Sequence, residues 1–338
     1  MSWLKLYIKL SVAFLFLLIL SACGDDDDED LVGNWVELGD FEGVPRADAV
    51  GVSLDGKAYV ATGYDGEDWL TDLWEYQPGQ DYWKQKAEFP GAARVGAVGF
   101  GVGGKLYVGT GYDGTFKLKD FYEFDPVANE WTRIADFEGT ARYGAIAMTI
   151  GDKGYVGSGD DSNYLKDFWE YDPSTGAWTQ MVSMGTKRRD AMAFVIDGIG
   201  YVCGGYSNGY VDDFEKYDPA TNSWTRLRDI SDATDEDFDD DYSIVRTNGA
   251  AFVMNGKGYI ATGGRSTTGD EVWEYNPATD LWIEKTGLYE EGTGGADRME
   301  AVGFTIDNVG YITTGRNSSY YFYDVWRFEP NAEVNEYD

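Results

Sequence analysis

The 338-residue sequence contains no histidine, and its basic residues are few. Without histidine the chain cannot build a serine–histidine–aspartate triad. The usual histidine-containing zinc and copper sites are excluded for the same reason. Only 27 lysines and arginines stand against 60 aspartates and glutamates, which gives a net charge of −33. A chain this acidic repels phosphate backbones, so no nucleic-acid partner is expected.

Long hydrophobic stretches are missing except for one, LSVAFLFLLIL at residues 10–20. It follows Lys5 and Lys9 and is short for a membrane span, which predicts a signal peptide over residues 1–22. The stretch ends in LSAC (20–23), which resembles the lipobox of bacterial lipoproteins, where the cysteine is lipidated. We therefore expect a lipid anchor on Cys23; an ordinary signal peptide that happens to contain a cysteine is the alternative.

An acidic run, GDDDDED at residues 24–30, follows the predicted anchor. Dense like charges keep such a segment extended and solvated, so residues 23–33 are interpreted as the lipidated cysteine and a tether. The run also resembles the surface-export signal of some Gram-negative lipoproteins, with a plain spacer as the alternative. The predicted location is the bacterial outer membrane, surface-exposed or periplasmic. With Cys23 lipidated, Cys203 has no partner, and no intrachain disulfide is expected.

Six copies of one pattern fill the rest of the chain. Each copy begins with an arginine, followed thirteen residues later by a tyrosine and four residues after that by a glycine. An aromatic–x–proline follows, and in the first five copies a tryptophan lies five residues past the proline. The arginines are Arg46, Arg94, Arg142, Arg188, Arg246 and Arg298.

Each copy has the composition of four short strands joined by glycine- and proline-containing turns. Four-stranded sheets repeated around an axis form a β-propeller, which protects its strand edges. The pattern R…A…GKxYVxxG…DxWEYDP…W resembles the Kelch repeat over residues 34–330. It departs from the family at the Gly-Gly doublet, which is kept in register only at Gly204-Gly205.

The sixth copy ends at Pro330 without a tryptophan, whereas GNWVEL at residues 33–38 matches the outer strand of another copy. The sequence therefore predicts a six-bladed propeller of four-stranded antiparallel blades, closed by the N-terminal strand pairing into the last blade. Residues 331–338 are interpreted as a C-terminal tail.

The variable segments and the arginines are expected on one face, because alternate loops of an antiparallel blade share a side. Two sets are candidate ligand-binding residues: the six arginines, and the loop aromatics Trp69, Phe116, Tyr164, Tyr210 and Tyr321. Aromatics beside small polar residues suit a sugar face or a peptide; the alternative is that these rings anchor their own loops.

Carboxylates two residues after some arginines offer an alternative role for the arginine ring. Asp48, Asp190 and Glu300 hold that position, which predicts an internal salt-bridge network around the channel. Arg94 and Arg142 have glycine there, and as unpaired cations they are candidates to bind an anionic ligand. Some Kelch proteins use equivalent arginines to grip acidic ligands, which is an implication of the resemblance.

The long acidic segment at residues 229–245 lacks the glycine and glutamate that an EF-hand requires. A solvated loop and a looser divalent-cation site both remain open for it. No metal site and no cofactor are predicted.

The sequence favours a lipid-anchored binding module for a glycan or protein partner over an enzyme. Kelch-like blades occur in galactose oxidase, but its copper chemistry is excluded here by the lack of histidine. The alternative is a cofactor-independent sugar mutarotase resembling N-acetylneuraminate epimerase, with Arg298 and Glu300 or Arg188 and Asp190 as candidate catalytic pairs. A purely structural role is the third reading.

Overall fold

The computed structural model describes residues 31–231, 244–288 and 296–335. The predicted signal peptide, Cys23 and most of the acidic tether lie outside these ranges, as do residues 232–243 of the acidic segment and the last three residues. In the described ranges no helix has the length and apolar character needed to cross a membrane.

Within the described ranges, twenty-four short strands form six antiparallel sheets of four strands each. Blade 1 contains β2 (Val50–Leu54), β3 (Lys57–Ala61), β4 (Leu73–Gln77) and β5 (Tyr82–Gln85). Blade 2 contains β6 (Val98–Val102), β7 (Lys105–Gly109), β8 (Phe121–Asp125) and β9 (Glu130–Arg133). Blade 3 contains β10 (Ile146–Ile150), β11 (Lys153–Gly157), β12 (Phe168–Asp172) and β13 (Ala177–Met181).

The other three blades repeat the same order. Blade 4 contains β14 (Met192–Ile196), β15 (Ile199–Cys203), β16 (Phe214–Asp218) and β17 (Ser223–Arg226). Blade 5 contains β18 (Ala250–Met254), β19 (Lys257–Ala261), β20 (Val272–Asn276) and β21 (Leu281–Lys285). Blade 6 contains β22 (Val302–Ile306), β23 (Val309–Thr313), β24 (Val325–Glu329) and the N-terminal strand β1 (Asn34–Glu37).

The ring closes as the sequence predicts. Strand β1 pairs antiparallel with β24, so that Asn34 lies opposite Glu329 and Trp35 opposite Phe328. The Trp35 and Phe328 rings are 4.5 Å apart between centroids. The first and last described strands therefore complete one sheet, which confirms the six-bladed propeller and its closure.

The core lies between neighbouring blades. The second strand of each blade is almost wholly buried, and aromatic rings from one blade fill space beside glycines of the next. A Cβ atom added to Gly154 of blade 3 would lie 2.2 Å from Cε2 of Phe100 in blade 2. Close packing of this kind fixes the angle between blades.

The two faces of the propeller carry different connections. One, named here the loop face, holds the loops between the second and third strands: residues 62–72, 110–120, 158–167, 204–213, 262–271 and 314–324. The other, the turn face, holds tight hairpin turns such as residues 55–56 and 78–81. Strand β1 begins beside the end of β24, so the described chain enters the propeller at the turn face.

Candidate functional site

The six repeated arginines lie inside the blades. Five are fully buried and Arg246 is nearly so. Each reaches the segment that precedes the third strand of its own blade and donates to a backbone carbonyl sixteen residues ahead. The acidic partners are Asp72, Asp120, Asp167, Asp213, Glu271 and Asp324.

Arg94 illustrates the arrangement. Its Nη1 and Nη2 donate to the two carboxylate oxygens of Asp120 at 2.8 and 2.9 Å. Nη1 also donates to the Thr110 carbonyl and Nε to the Ala92 carbonyl, each at 2.8 Å. The guanidinium carbon lies 4.8 Å from the centroid of the Phe89 ring. A buried guanidinium held on four sides in this way is a structural element of the blade.

Two predictions about the arginines are therefore wrong. Arg94 and Arg142 are not unpaired, because Asp120 and Asp167 neutralise them. The carboxylates two residues along the chain are not their partners either: Arg298 pairs with Asp324 rather than Glu300. The reason is geometric, since each buried arginine crosses its blade to the third strand. With their charges neutralised in the blades, the arginines give no reason to expect an anionic ligand.

The residues two positions after the arginines line the central channel instead. We name this ring the throat: Asp48, Gly96, Gly144, Asp190, Asn248 and Glu300. The φ angles are 55° at Asp48, 57° at Gly96, 60° at Gly144, 55° at Asp190, 55° at Asn248 and 59° at Glu300. Glycine, asparagine and aspartate tolerate this left-handed conformation, whereas a glutamate adopts it at a cost.

A closed circle of backbone hydrogen bonds holds the throat. Each N–H donates to the throat carbonyl of the preceding blade, and the Asp48 N–H completes the circle by donating to Glu300. The six N···O distances lie between 2.9 and 3.3 Å. The left-handed conformation turns each peptide toward its neighbour, and this explains why all six blades share it.

Three throat carboxylates converge on a cavity of about 180 Å³ at the loop-face end of the channel. Two have cationic neighbours that the repeat pattern did not reveal. Arg316 donates to both oxygens of Glu300, at 2.6 and 3.0 Å. Arg189 Nε lies 3.4 Å from an oxygen of Asp190. Glu300 and Asp190 thus have Arg316 and Arg189 as cationic neighbours in place of the repeated arginines Arg298 and Arg188, and a catalytic role for either carboxylate stays a prediction.

Crowding of these carboxylates changes their acidity. Burial raises the pKa of Asp190 to about 6, and the charge of Glu300 acts in the same direction against the attraction of Arg189. Burial also raises the pKa of Asp48 well above its ordinary value, reinforced by the charges of Glu300 and Asp190. Carboxyl groups with such raised pKa values are common at sites that bind or transfer protons.

Aromatic rings surround the throat on the loop face. Tyr64 packs against Trp69 and Tyr321, with centroid distances of 5.5 and 6.1 Å. Opposite them, Tyr143 lies between Lys117 Nζ and Arg189 Cζ, which are 5.3 and 5.4 Å from its ring centroid. We name this aromatic surface around the throat the mouth: Tyr64, Trp69, Tyr112, Tyr143, Tyr164, Tyr206, Tyr210 and Tyr321.

The predicted loop aromatics divide between exposed tips and packed rings. Phe116 is 67% exposed and Trp69 41% exposed. Trp69 nevertheless packs on its own blade through Tyr64. Tyr164 and Tyr210 both contact Tyr206, at 5.9 and 5.6 Å between centroids. Their role in ligand binding stays a prediction, but all five belong to the loop face.

Sequence reasoning missed the residues that stand next to repeated positions. Tyr143 and Arg189 directly follow the repeated arginines, and Tyr64, Tyr112 and Arg316 directly follow the repeated glycines. Isolated β-bridges pair these two positions in every blade, for example Tyr143 with Asp160. Variation directly after a repeated residue is the signal that could have found them.

Other sequence features contribute less to the site. In residues 31–231, 244–288 and 296–335 no group of three or more histidine, cysteine or acidic side chains is placed to hold a metal ion. Most of the acidic segment 229–245 falls outside the described chain, so the divalent-cation question for it stays open.

Comparison with known proteins identifies the repeat. The Kelch motif matches residues 45–90, 93–138, 154–185 and 188–231. No curated protein matches the chain. The solved structure of YjhT matches with a TM-score of 0.70, covering 85% of this chain and 95% of its own at 17% sequence identity. At that identity the likeness shows the fold alone.

Proposed function

Because this chain belongs to the Kelch-repeat β-propellers, which typically bind proteins or other ligands, we propose that it is a carbohydrate-binding module whose ligand lies at the mouth of the loop face. The observation that carries this proposal is that aromatic rings and charged side chains share the loop face, next to the throat. Sugars present apolar faces to aromatic rings and hydroxyl groups to carboxylates and guanidinium groups.

The mouth is organised before any ligand arrives. The hydroxyl groups of Tyr64 and Tyr112 each donate to the carbonyl two residues later, at 2.7 Å, and this fixes both rings. Arg189 Nη1 donates to the Tyr143 hydroxyl at 2.7 Å. Rings and charges held in this way lose little conformational entropy when a ligand binds.

The entry point of the chain fits a tethered binding module. A tether that joins the propeller at the turn face leaves the loop face free for a ligand. We therefore keep the lipid anchor on Cys23, in the outer membrane, as part of the proposal. A propeller held in this way is available to glycans outside the membrane.

A glycan array tests the proposal. We expect the protein to bind a defined set of glycans, and Trp69→Ala to weaken that binding at least about tenfold, because a stacking face is removed. Tyr82→Ala is the matched control, since Tyr82 is a 47% exposed aromatic next to a turn-face hairpin. The carbohydrate proposal would be overturned if no glycan binds while a pull-down captures an envelope protein only when Trp69 is present. The ligand would then be a protein.

A second candidate, a cofactor-independent sugar mutarotase, is favoured by the two throat carboxyl groups with unlike neighbours. Asp190 has a pKa of about 6 and exchanges protons near neutral pH. Glu300 is held by two hydrogen bonds from Arg316. A proton donor and a proton acceptor beside one cavity are what anomeric exchange requires.

Anomeric exchange by this pair of carboxyl groups needs only two proton transfers and no cofactor. Asp190 gives a proton to the ring oxygen while Glu300 takes the proton of the anomeric hydroxyl. The bond between the anomeric carbon and the ring oxygen breaks, and a carbonyl forms. After the open chain rotates, the reverse transfers close the ring in the other anomer.

Proton NMR of anomeric exchange, with neutral sugars and N-acetylneuraminate as substrates, tests this second function. Acceleration that Glu300→Gln abolishes and that Glu67→Gln leaves unchanged would support it, because Glu67 is an exposed carboxylate of the same face. Unchanged exchange with every sugar would leave the protein a binding module.

A further inference from the structure

The loop tips of blades 6, 1 and 2 interlock through two glycines. Gly66 and Gly114 end the YDG sequences of blades 1 and 2, with positive φ angles of 105° and 89°. A Cβ atom added to Gly66 would lie 3.0 Å from Cε2 of Tyr321 in blade 6, and one added to Gly114 would lie 2.7 Å from Cη2 of Trp69 in blade 1. Glycine is therefore needed at both tips for two reasons, the backbone conformation and the ring of the preceding blade.

These contacts join five aromatic side chains into one row, named here the arc: Tyr320, Tyr321, Tyr64, Trp69 and Phe116. Tyr64 packs against both Tyr321 and Trp69. The Trp69 ring reaches Gly114, which lies two residues before Phe116. At the two ends of the arc, Tyr320 is 48% exposed and Phe116 is 67% exposed. Exposed aromatic surface gathered in one place marks an interaction site.

The arc follows three consecutive blades and ends before blade 3. Beyond Phe116, the tips of blades 2 and 3 meet through polar groups, because Lys117 Nζ donates to Asp160 and to Ser162 Oγ. None of the five arc residues, all within the described ranges, lines the throat cavity. The arc is therefore a row of rings beside the channel and is suited to an extended ligand.

The charge of the central loop disfavours an acidic ligand on the arc. Residues 62–72 of blade 1 contain four acidic residues and no basic one. Arg46 neutralises Asp72, which leaves Asp65, Glu67 and Asp68 directly before Trp69. Carboxylates this near a binding surface repel an anionic chain, whereas the hydroxyl groups of an uncharged sugar can donate hydrogen bonds to them.

We propose that the ligand is an uncharged, unbranched oligosaccharide that lies along the arc, with successive sugar rings against Tyr321, Trp69 and Phe116. The inference rests on the proposed carbohydrate-binding function and adds the length, shape and charge of the ligand. It replaces the anionic ligand expected from the sequence. Such a ligand gains affinity with length, because each further ring contact is made by a chain that is already bound.

Linear oligosaccharides of two lengths test the arc. Dimers and hexamers of β-1,4-linked glucose, xylose and N-acetylglucosamine are neutral and differ within each series only in length. In at least one series we expect calorimetry to give at least about tenfold tighter binding of the hexamer. A galacturonate hexamer and its methyl ester are a second matched pair, and we expect the charged form to bind at least about tenfold more weakly than the ester.

Substitutions at the two ends assign the length dependence to the arc. Phe116→Ala and Tyr320→Ala should each lower the affinity for the hexamer by about threefold or more, because each removes one aromatic contact. The double variant should lose most of the advantage of the hexamer over the dimer. The exposure of Phe116 allows its removal without a change in the fold. Tyr82→Ala, which removes an exposed ring from the other face, should keep the full advantage.

The outcomes separate this inference from the function on which it rests. Glycans that bind through Trp69 while no linear series gains affinity with length would overturn the arc and keep the carbohydrate site. A length dependence that survives in the double variant would also overturn it. Equal binding of the galacturonate hexamer and its ester would show that the ligand class is not restricted to uncharged chains. If no glycan of any kind binds, both proposals fall.

Discussion

The guanidinium group of Arg94 and the carboxylate of Asp120 meet face to face through two hydrogen bonds, 26 residues apart in the chain. The same bidentate contact recurs between Arg46 and Asp72, Arg142 and Asp167, and Arg298 and Asp324. It links the start of the first strand of a blade to the start of its third. The arginine ring therefore holds the loop face together from inside.

Breaking one of these buried arginine–aspartate pairs should destabilise the fold. Arg94→Met leaves the Asp120 carboxylate without its partner, and we expect the free energy of unfolding to fall by about 3–5 kcal/mol. Arg133→Met is the control, because the Arg133–Asp136 pair is exposed to solvent and contributes little to stability. Equal losses for both variants in chemical denaturation would contradict a structural role for the buried pair.

Stability should depend on pH through Asp190. Its folded-state pKa of about 6 lies above the ordinary 3.8, so the folded chain binds more protons between these values. The stabilising contribution of the protonated form is complete below about pH 4 and is lost as the pH rises through 6. Asp190→Asn should therefore raise the free energy of unfolding at pH 7 by up to about 3 kcal/mol.

The same Asp190→Asn variant should match the wild type at pH 3.5, where both side chains are neutral. Urea denaturation at the two pH values measures the difference. Asp136→Asn, which changes an exposed carboxylate, is the control. A gain in stability that is equal at both pH values would show that the cause is not the titration of Asp190.

Blade spacing should be sensitive to Gly154. An alanine Cβ there would lie 2.2 Å from Phe100, so Gly154→Ala is expected to lower the free energy of unfolding by about 1–3 kcal/mol. Gly79→Ala is the control, because nothing lies within 4 Å of its added Cβ. Combining Gly154→Ala with Phe100→Leu should recover part of the loss, and no recovery would place the strain elsewhere.

The left-handed backbone at Glu300 should lower the stability of the fold. With a φ of 59° it occupies a position where Gly96 and Gly144 stand in other blades. Glu300→Gly should raise the free energy of unfolding by about 1 kcal/mol, since the left-handed conformation costs glycine nothing. Asn248→Gly should gain less, because asparagine tolerates that conformation, and a destabilised Glu300→Gly would show that its contact with Arg316 outweighs the strain.

The predicted lipid anchor requires the side chain of Cys23. Cys23→Ser should abolish incorporation of radiolabelled palmitate and release the protein from the membrane fraction of its host. Cys203→Ser should keep both properties, because Cys203 is buried in blade 4. A Cys23→Ser protein that still carries label would place the acylation at another residue.

The fold was predictable because each repeat consists of the residue types that β-strands and tight turns favour. The six spacings fixed the number of blades, and the single missing tryptophan indicated the closing strand at Trp35. The buried arginine pairs were not predicted, although an acidic residue precedes the third strand in every copy. Spacing along a repeat does not reveal which of two nearby carboxylates an arginine reaches, since this depends on strand pairing across the blade.

The site was less predictable than the fold for a physical reason. Arg316 and Tyr64 both follow a repeated glycine, so the repeat places them at matching positions in two blades, but their side chains differ too much for the repeat to indicate a shared role. The throat carboxylates were noticed in the sequence but were assigned the wrong partners. Only the left-handed backbone at Asp48, Asp190 and Glu300 turns these side chains toward the axis.

Closure by β1 also dictates an order of events during synthesis. Among the strands that the structure describes, β1 is translated first and its hydrogen-bonding neighbour β24 is translated last. Until β24 has been made, β1 has no strand to pair with, and the apolar side chain of Trp35 is exposed to solvent. Chaperone attachment to the nascent chain is therefore to be sought around this tryptophan.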